Sequence, residues 1–412
     1  MRYAKVRPAS SIPIASRRYS KTLFPFYLIP LDSLLERACE FEKETSESYK
    51  MESYQDLMDV GLLRRWETIK DNDTIIFVSH EWCGWSHPDP QGVQLNVLLE
   101  VLQNLKTGKI KGVNMCGFYS RFVGSDERTK AKDWVNILSS AYVWIDWSCM
   151  PQPEAEKTRK VPLLNKALVE LQKDSNSAID SIGAYVERSD IVIVLVPTCT
   201  HADRIDPKSK QKVHTCYRTW RSRGWCVLEL YAAFMARSKT VPVLRVTSKE
   251  STPEWMSPYE PVFLSLGATE FSCCQRNHLM SKDDKSKVTP CDRPRCLSIA
   301  RPMLDNKIIH LFEHDKDFTR ARLIQSLRKR FLSGLSNTVP GITSNYEDTS
   351  IGKDDDLFLK EQVSDVVLRL KAILRWRTGE DGDWFDRGGI SILIYAIMRE
   401  DLECTCCGGG EV

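Results

Sequence analysis

The stretch RGWCVLEL, residues 223–230, holds one carboxylate, Glu229, in a run that is otherwise apolar after its leading Arg223. Two roles suit an acid there. In the opening turns of a helix it complements the positive end of the dipole, worth about 0.3–1 kcal/mol. Withdrawn from water, it is also a candidate for catalysis. Further polar residues fall where apolar runs stop. TIIFVSHEW (74–82) delivers Ser79, His80, Glu81 and Trp82; AYVWIDWSCMPQ (141–152) delivers Asp146 and Trp147; IVIVLVP (191–197) leads to Thr198, Cys199 and His201. With Glu229, Trp225 and Cys226 they form the candidate site. Each also has a structural role open to it: Asp146 can bond local amides, and Trp82, Trp85, Trp147 and Trp225 can serve as packing.

These residues need a scaffold that brings them to one mouth. The β-branched run at 74–82 reads as a strand, and GVQLNVLLEVLQNL (92–105) sets Leu95, Leu98, Leu99, Leu102 and Leu105 on one helical face. Residues 141–152 read as a second strand broken by Pro151. SAIDSIGAYVERSD (177–190) reads as a helix running into the continuous aliphatic strand 191–197. WCVLELYAAFMARS (225–238) is helical in pattern, and TVPVLRV (240–246) is the fourth strand. Continuous aliphatic strands suit a parallel sheet covered on both faces. Strands alternating with helices predict an open α/β sheet, in which ligands bind beyond the carboxyl ends of the strands where the strand order reverses. Farther on, VFLSLGATEFSC (262–273) reads as a further strand and 305–335 as helical. Within the latter, RARLIQSLRKRF (320–331) places Leu323, Ile324, Leu327 and Phe331 at helical spacing under a solvated basic face.

Lys and Arg exceed Asp and Glu by 58 to 55, so no global basic field is present to hold nucleic acid. The 42% hydrophobic content suffices for a sizeable core, and no apolar run is long enough to span a bilayer. The 14 cysteines, without a secretory signal, suggest free thiols in a reducing compartment, and a cytoplasmic location is the expectation. Residues 1–31 carry Arg2, Lys5, Arg7, Arg17, Arg18 and Lys21 and no acid, the composition of an organelle transit peptide. The FPFYLIPLDSLLE within and beyond that stretch reads instead as globular sequence packing on the main unit.

Taken in order, the motifs resemble a Toll/interleukin-receptor (TIR) domain over roughly residues 74–246. That family opens on a strand ending in Phe-x-Ser, here Phe77-Val78-Ser79, and its second strand ends in an Ile-Asp pair, here Ile145-Asp146. Its next helix enters an aliphatic third strand, as in ERSDIVIVLVP. Plant members carry Ser-x-Trp-Cys-x-x-Glu-Leu, matched here by Trp225-Cys226-Val227-Leu228-Glu229-Leu230, and a Pro-bearing strand follows, here Val241-Pro242-Val243. The resemblance implies a flavodoxin-like, mainly parallel sheet with helices on both faces. In enzymatic members the glutamate is required to cleave NAD at the nicotinamide–ribose bond, which gives Glu229 the catalytic role. Ser79, His80, Glu81, Trp82, Asp146, Trp147, Thr198, Trp225 and Cys226 then fall to substrate binding, and NAD is substrate rather than cofactor. Arg223 stands where the plant motif has Ser, and the loop WSCMPQPEAEKTRK (147–160) lacks the family's usual Gly. A non-catalytic adaptor that self-associates through TIR-like surfaces is therefore the alternative.

The expected organisation is an N-terminal extension over 1–73, the TIR-like unit with C-terminal additions over 74–335, a linker over 336–354 and a helical segment over 355–412. That last segment holds an amphipathic helix at 357–376. It then carries GGISILIYAIMREDLE (388–403), similar to the start of an ankyrin repeat at Gly389, Ser391, Leu393 and Ala396 and a candidate surface for protein partners. Cys274, His278, Cys291 and Cys296 offer a CxxxH and a CxxxxC pair. Their spacing is loose for zinc, so unligated thiols and no metal are expected.

Overall fold

The computed structural model describes residues 19–116, 128–158, 165–206, 208–257, 260–275, 278, 290–335, 377–378 and 384–385. Residues 1–18 of the stretch with transit-peptide composition, the linker, the helix at 357–376 and the ankyrin-like segment lie outside the described residues.

The strands, in chain order, are β1 (Tyr27–Pro30), β2 (Arg64–Arg65), β3 (Thr74–His80), β4 (Gly112–Met115), β5 (Arg128–Lys130), β6 (Ala141–Trp144), β7 (Ile191–Leu195), β8 (Cys199–Ile205), β9 (Lys212–Thr215), β10 (Val243–Val246), β11 (Glu254–Trp255) and the antiparallel pair β12 (Arg377–Thr378) and β13 (Trp384–Phe385). Nine of them form one mixed sheet in the order β2-β1-β6-β3-β7-β10-β11-β4-β5, while β8 and β9 make a separate hairpin. The central four, β6, β3, β7 and β10, are mutually parallel. They are also the four runs that the sequence marks as strands. Their near-continuous apolar character follows from burial on both faces: every residue of β7 is buried, as are Ile75 through His80 of β3.

The helices are α1 (Leu31–Thr45), α2 (Tyr54–Asp59), α3 (Val93–Lys106), α4 (Ala131–Ile137), α5 (Asp146–Cys149), α6 (Asn165–Asp180), α7 (Ile182–Arg188), α8 (Tyr217–Trp220), α9 (Gly224–Met235), α10 (Ser272–Gln275), α11 (Asp292–His310), α12 (Phe318–Ser326) and α13 (Arg328–Leu332). The leucines expected on one face of α3 are all buried. Before α3 the chain turns at Gly92, whose φ of +71° is accessible to glycine at little cost, and the Asp89 carboxylate accepts the Leu95 amide at 2.9 Å. Among the described residues no helix is long and apolar enough to cross a membrane.

Three local readings differ from the structure. The strand expected over 141–152 stops at Trp144, because the Ile145 carbonyl accepts the Ser148 and Cys149 amides and winds the chain into the turn α5. The helix expected over 177–190 breaks at Ser181. Its hydroxyl donates to the Ser177 carbonyl and accepts the Leu23 and Phe24 amides, tying the break to the N-terminal segment. Residues 262–273 form short 3-10 turns and the start of α10 instead of a strand, with a lone bridge between Arg223 and Glu270. Gly267 lies there against the Ser333 carbonyl, where a Cβ would be 1.7 Å away.

The N-terminal segment belongs to the core from Phe24 onward. Phe24, Phe26, Leu28 and Ile29 are buried, Phe26 stacks on Tyr185 at 4.6 Å between ring centroids, and β1 pairs antiparallel with β6. At the other end of the chain, α11, α12 and α13 close over α9. Cys226, Leu230, Ala232 and Ala233 of α9 face the sheet cluster, and Val227, Leu228, Tyr231, Phe234 and Met235 face a second cluster with the C-terminal helices. A helix apolar all round is one buried all round. Within 320–331, Ile324, Leu327 and Phe331 are buried in that second cluster, as their spacing predicts, whereas Leu323 is only half-buried against it and Arg322, expected on the solvated basic face, is buried.

Candidate functional site

Parallel pairing sets the strand tips level. Phe77 is opposite Trp144 of β6 and Val192 of β7, so two residues on, Ser79 is opposite Val194 while β6 has just delivered Asp146. The chain runs from β3 out to β6 on one side and then places β7 on the other, so the β3 tip is where strand order reverses. Helix α9 crosses this tip with Glu229 on its sheet-facing side.

The Ser79 hydroxyl donates to a Glu229 carboxyl oxygen at 2.5 Å and accepts the Trp220 indole N–H at 3.1 Å. Glu229 is 8% exposed. Burial raises its pKa to about 8; the Ser79 bond opposes the rise, and the charge of Asp146 adds to it. At neutral pH the carboxyl is protonated, and its carbonyl oxygen takes the Ser79 hydrogen bond.

Next to it His80 is locked from both ends. Its Nε2 is 2.9 Å from Asp146 Oδ1 and its Nδ1 is 2.6 Å from Gln94 Oε1. Gln94 cannot turn over, because its amide nitrogen already donates to the Glu81 carbonyl at 2.7 Å. Both ring nitrogens therefore face acceptors, which requires the imidazolium. Burial works against that charge, but the charge and hydrogen bond of Asp146 outweigh it and lift the His80 pKa to about 9. For Asp146 burial likewise opposes charge. His80, the Trp82 indole N–H at 2.7 Å and the Trp147 amide at 2.6 Å hold it below the usual carboxylate range. The result is a neutral carboxyl beside a charged histidine–aspartate pair.

Glu81 turns the other way, toward Arg204 at 3.2 Å and Arg223 at 3.8 Å, and burial raises its pKa. The Cys226 thiol donates to the His80 carbonyl at 3.5 Å. Trp147 sets its ring edge-on to Trp82, with centroids 5.7 Å apart. Ser79, His80, Trp82, Asp146, Trp147, Cys226 and Glu229 are thus one connected cluster. Thr198 is exposed and bears none of these bonds, and the Trp225 indole N–H goes instead to Asp292 of α11 at 3.1 Å.

Trp220 and Gln94 complete the cluster without having been singled out in the sequence. Gln94 lies in HPDPQGVQ, where an amide at the second helical position gives no local signal. Trp220 is one indole among 11 until α8 is packed. A groove of about 640 Å³ adjoins the cluster, lined by Arg37, Tyr49, Glu52, His87 and Trp147 among others. It is walled by α1 and the segment after it, and Trp147 is shared with the cluster. Glu229 does not line it.

Helix α9 can sit this deep because it starts with glycine. A Cβ on Gly224 would lie 2.2 Å from the Phe271 ring. Gly224→Ala is expected to lower unfolding free energy by about 1–3 kcal/mol in urea titration, with the loss relieved in the double variant that also carries Phe271→Leu. No relief would mean that the contact is not what limits the site.

No family model, no curated protein and no solved structure matches the chain.

Proposed function

We propose that this protein is a TIR-like NAD hydrolase in which Glu229 is the catalytic carboxyl. The reading rests on one observation above the others: Glu229 is bonded to Ser79 at the strand tip where sheet order reverses, beside a charged His80–Asp146 pair. The order of the parallel strands, second-first-third-fourth in chain sequence, supports a flavodoxin-like assignment. The neighbouring groove has the volume of a small-ligand pocket, of which about 300–1,000 Å³ is typical.

In the reaction the bond between the ribose C1′ and the nicotinamide nitrogen breaks. The nicotinamide leaves neutral with the electron pair, and water adds to C1′ and releases a proton. The ribose gains oxocarbenium character on the way, and a nearby carboxylate is its natural counter-charge. The positive pyridinium ring of the substrate would draw the Glu229 proton off, since a nearby cation favours the ionised acid. Trp82 and Trp147 are suited to stack on a ring.

The test is nicotinamide release from NAD by the purified full chain, at concentrations that allow self-association. Glu229→Gln is expected to reduce kcat by about 100-fold or more, as loss of a transition-state charge does. In wild type, kcat/KM is expected to rise with pH, reach half its maximum near the free-enzyme pKa of about 8 and level off above it, because the ionised form is the active one. Equal release by wild type and variant would overturn the assignment.

A second reading is favoured by the near-complete burial of Glu229 and its engagement with Ser79. In it the carboxyl is a structural member of an adaptor fold and the surfaces bind protein. Self-association that is indifferent to Glu229→Gln, with no nicotinamide released by either form, would support this reading and exclude the first.

A further inference from the structure

Away from the strand tips, three cysteines converge where α10 meets the start of α11. Cys273 and Cys274 lie on α10, and Cys291 is the residue before α11. Their sulfurs all lie within 4.8 Å of one another, with Cys274 Sγ 3.9 Å from Cys273 Sγ and 3.8 Å from Cys291 Sγ. A disulfide needs sulfurs about 2.05 Å apart, so these spacings are those of separate thiols. Tetrahedral zinc with Zn–S bonds of about 2.3 Å places its sulfurs about 3.8 Å apart, the edge of the coordination tetrahedron.

We propose that Cys273, Cys274 and Cys291 bind a structural zinc ion, with the fourth position filled by His278 or Cys296. Both of those side chains are buried nearby, and the His278 amide folds back to donate to the Cys273 carbonyl at 2.7 Å. A second observation is independent of the sulfur spacing. The Asp292 amide donates to Cys273 Sγ at 3.4 Å. It is a first-turn amide of a 19-residue helix, the end that carries positive partial charge. Cys273 and Cys291 are each 7% exposed, and buried thiolates need a counter-charge. Arg295, the cation on the same helix turn, is committed to Asp180 at 2.7 Å. A divalent ion supplies the charge and fastens α10 to α11.

The site departs from the spacing expectation in one respect. The sequence pairs Cys274 with His278 and Cys291 with Cys296, whereas the fold brings Cys273 into the sulfur triangle. Adjacent residues on a regular helix point about 100° apart, so a CC pair rarely suggests two ligands for one ion. Here the four-residue turn of α10 allows it.

The experiment is elemental analysis of the full chain purified without chelator, followed by exchange of zinc for cobalt(II). About one zinc per chain is expected, together with the strong visible bands and sulfur-to-cobalt charge transfer of a tetrahedral thiolate site. Cys274→Ser, at the half-buried position, is expected to weaken zinc binding by more than about 10-fold. Of His278→Asn and Cys296→Ser, the one that removes a ligand will shift the cobalt bands, and only loss of Cys296 will also reduce charge transfer. Absence of stoichiometric metal, a weak octahedral cobalt spectrum, or a disulfide among the three cysteines in the mass map would each overturn the proposal. If the variants fail to fold, the cobalt spectrum of the wild-type chain still decides. Because the readout is metal and not NAD turnover, its outcome is separate from that of the proposed activity.

Discussion

Asp146→Ala is expected to lower the unfolding free energy by about 3–5 kcal/mol near neutral pH, the range found when one partner of a buried ion pair is removed. The reason is what the substitution leaves behind. Asp146 accepts from His80 Nε2, from the Trp82 indole and from the Trp147 amide. Without it, a ring that is 6% exposed and held as an imidazolium has lost the only counter-charge in direct contact with it among the described residues. Two further donors lose their acceptor. The pH dependence identifies the cause. His80 has its folded pKa raised from 6.5 to about 9, so the stability it contributes is fully present below 6.5 and is lost as pH rises toward 9. The difference between Asp146→Ala and wild type should therefore be largest below 6.5 and shrink toward 9 in urea titrations. Asp146→Asn keeps an acceptor and should cost less, about 1–3 kcal/mol. A loss below about 1 kcal/mol for the Ala variant would mean that the pair is not buried as described.

Glu229→Gln should change stability in the opposite sense. The carboxyl has a folded pKa of about 8 against an ordinary 4.5. Below 4.5 both the folded and the unfolded chain hold the proton. Between 4.5 and about 8 the unfolded chain releases it and the folded chain keeps it, so wild-type stability falls with rising pH. The slope from this group is about 1.4 kcal/mol per pH unit at most. Gln carries no such proton, yet its amide carbonyl can take the Ser79 hydrogen bond. The variant should match wild type near the acid end of the window and exceed it by about 2–4 kcal/mol at the alkaline end, as measured by chemical denaturation. An equal loss of stability at both ends would show that the carboxyl is ionised in the folded chain. A variant that gains stability while losing turnover would be the pattern of an acid retained for chemistry at the expense of the fold.

Much of this was legible in the sequence wherever the signal is periodic. The runs 74–82 and 191–197 are strands because unbroken β-branched stretches have no stable place except between covered faces. Helix α9 is visible in 225–238, and Glu229 stands out because it is the only charge among the residues of that helix. The four-residue β1 is too short to carry a period, and β4, β5 and β11 are shorter still or equal to it. Such strands exist because a neighbour offers a hydrogen-bonding edge, which no local pattern records. The same limit hid the break at Ser181, whose partners are Leu23 and Phe24, more than 150 residues away in sequence.

By itself the sequence determined the alternating α/β plan, the central strands and the acid set into an apolar helix, since each follows from hydrophobic period and from the cost of burying a charge. Tertiary structure alone decided which polar residues meet. Ser79 reaches Glu229 across 150 positions and His80 reaches Asp146 across 66, while Trp225, two residues from Arg223 on the same motif, turns to Asp292 instead. Hydrogen bonds act over about 3 Å whatever the separation along the chain, so only the packing of α9 over the β3 tip fixes the partners, the protonation of the carboxyl and the charge on the histidine.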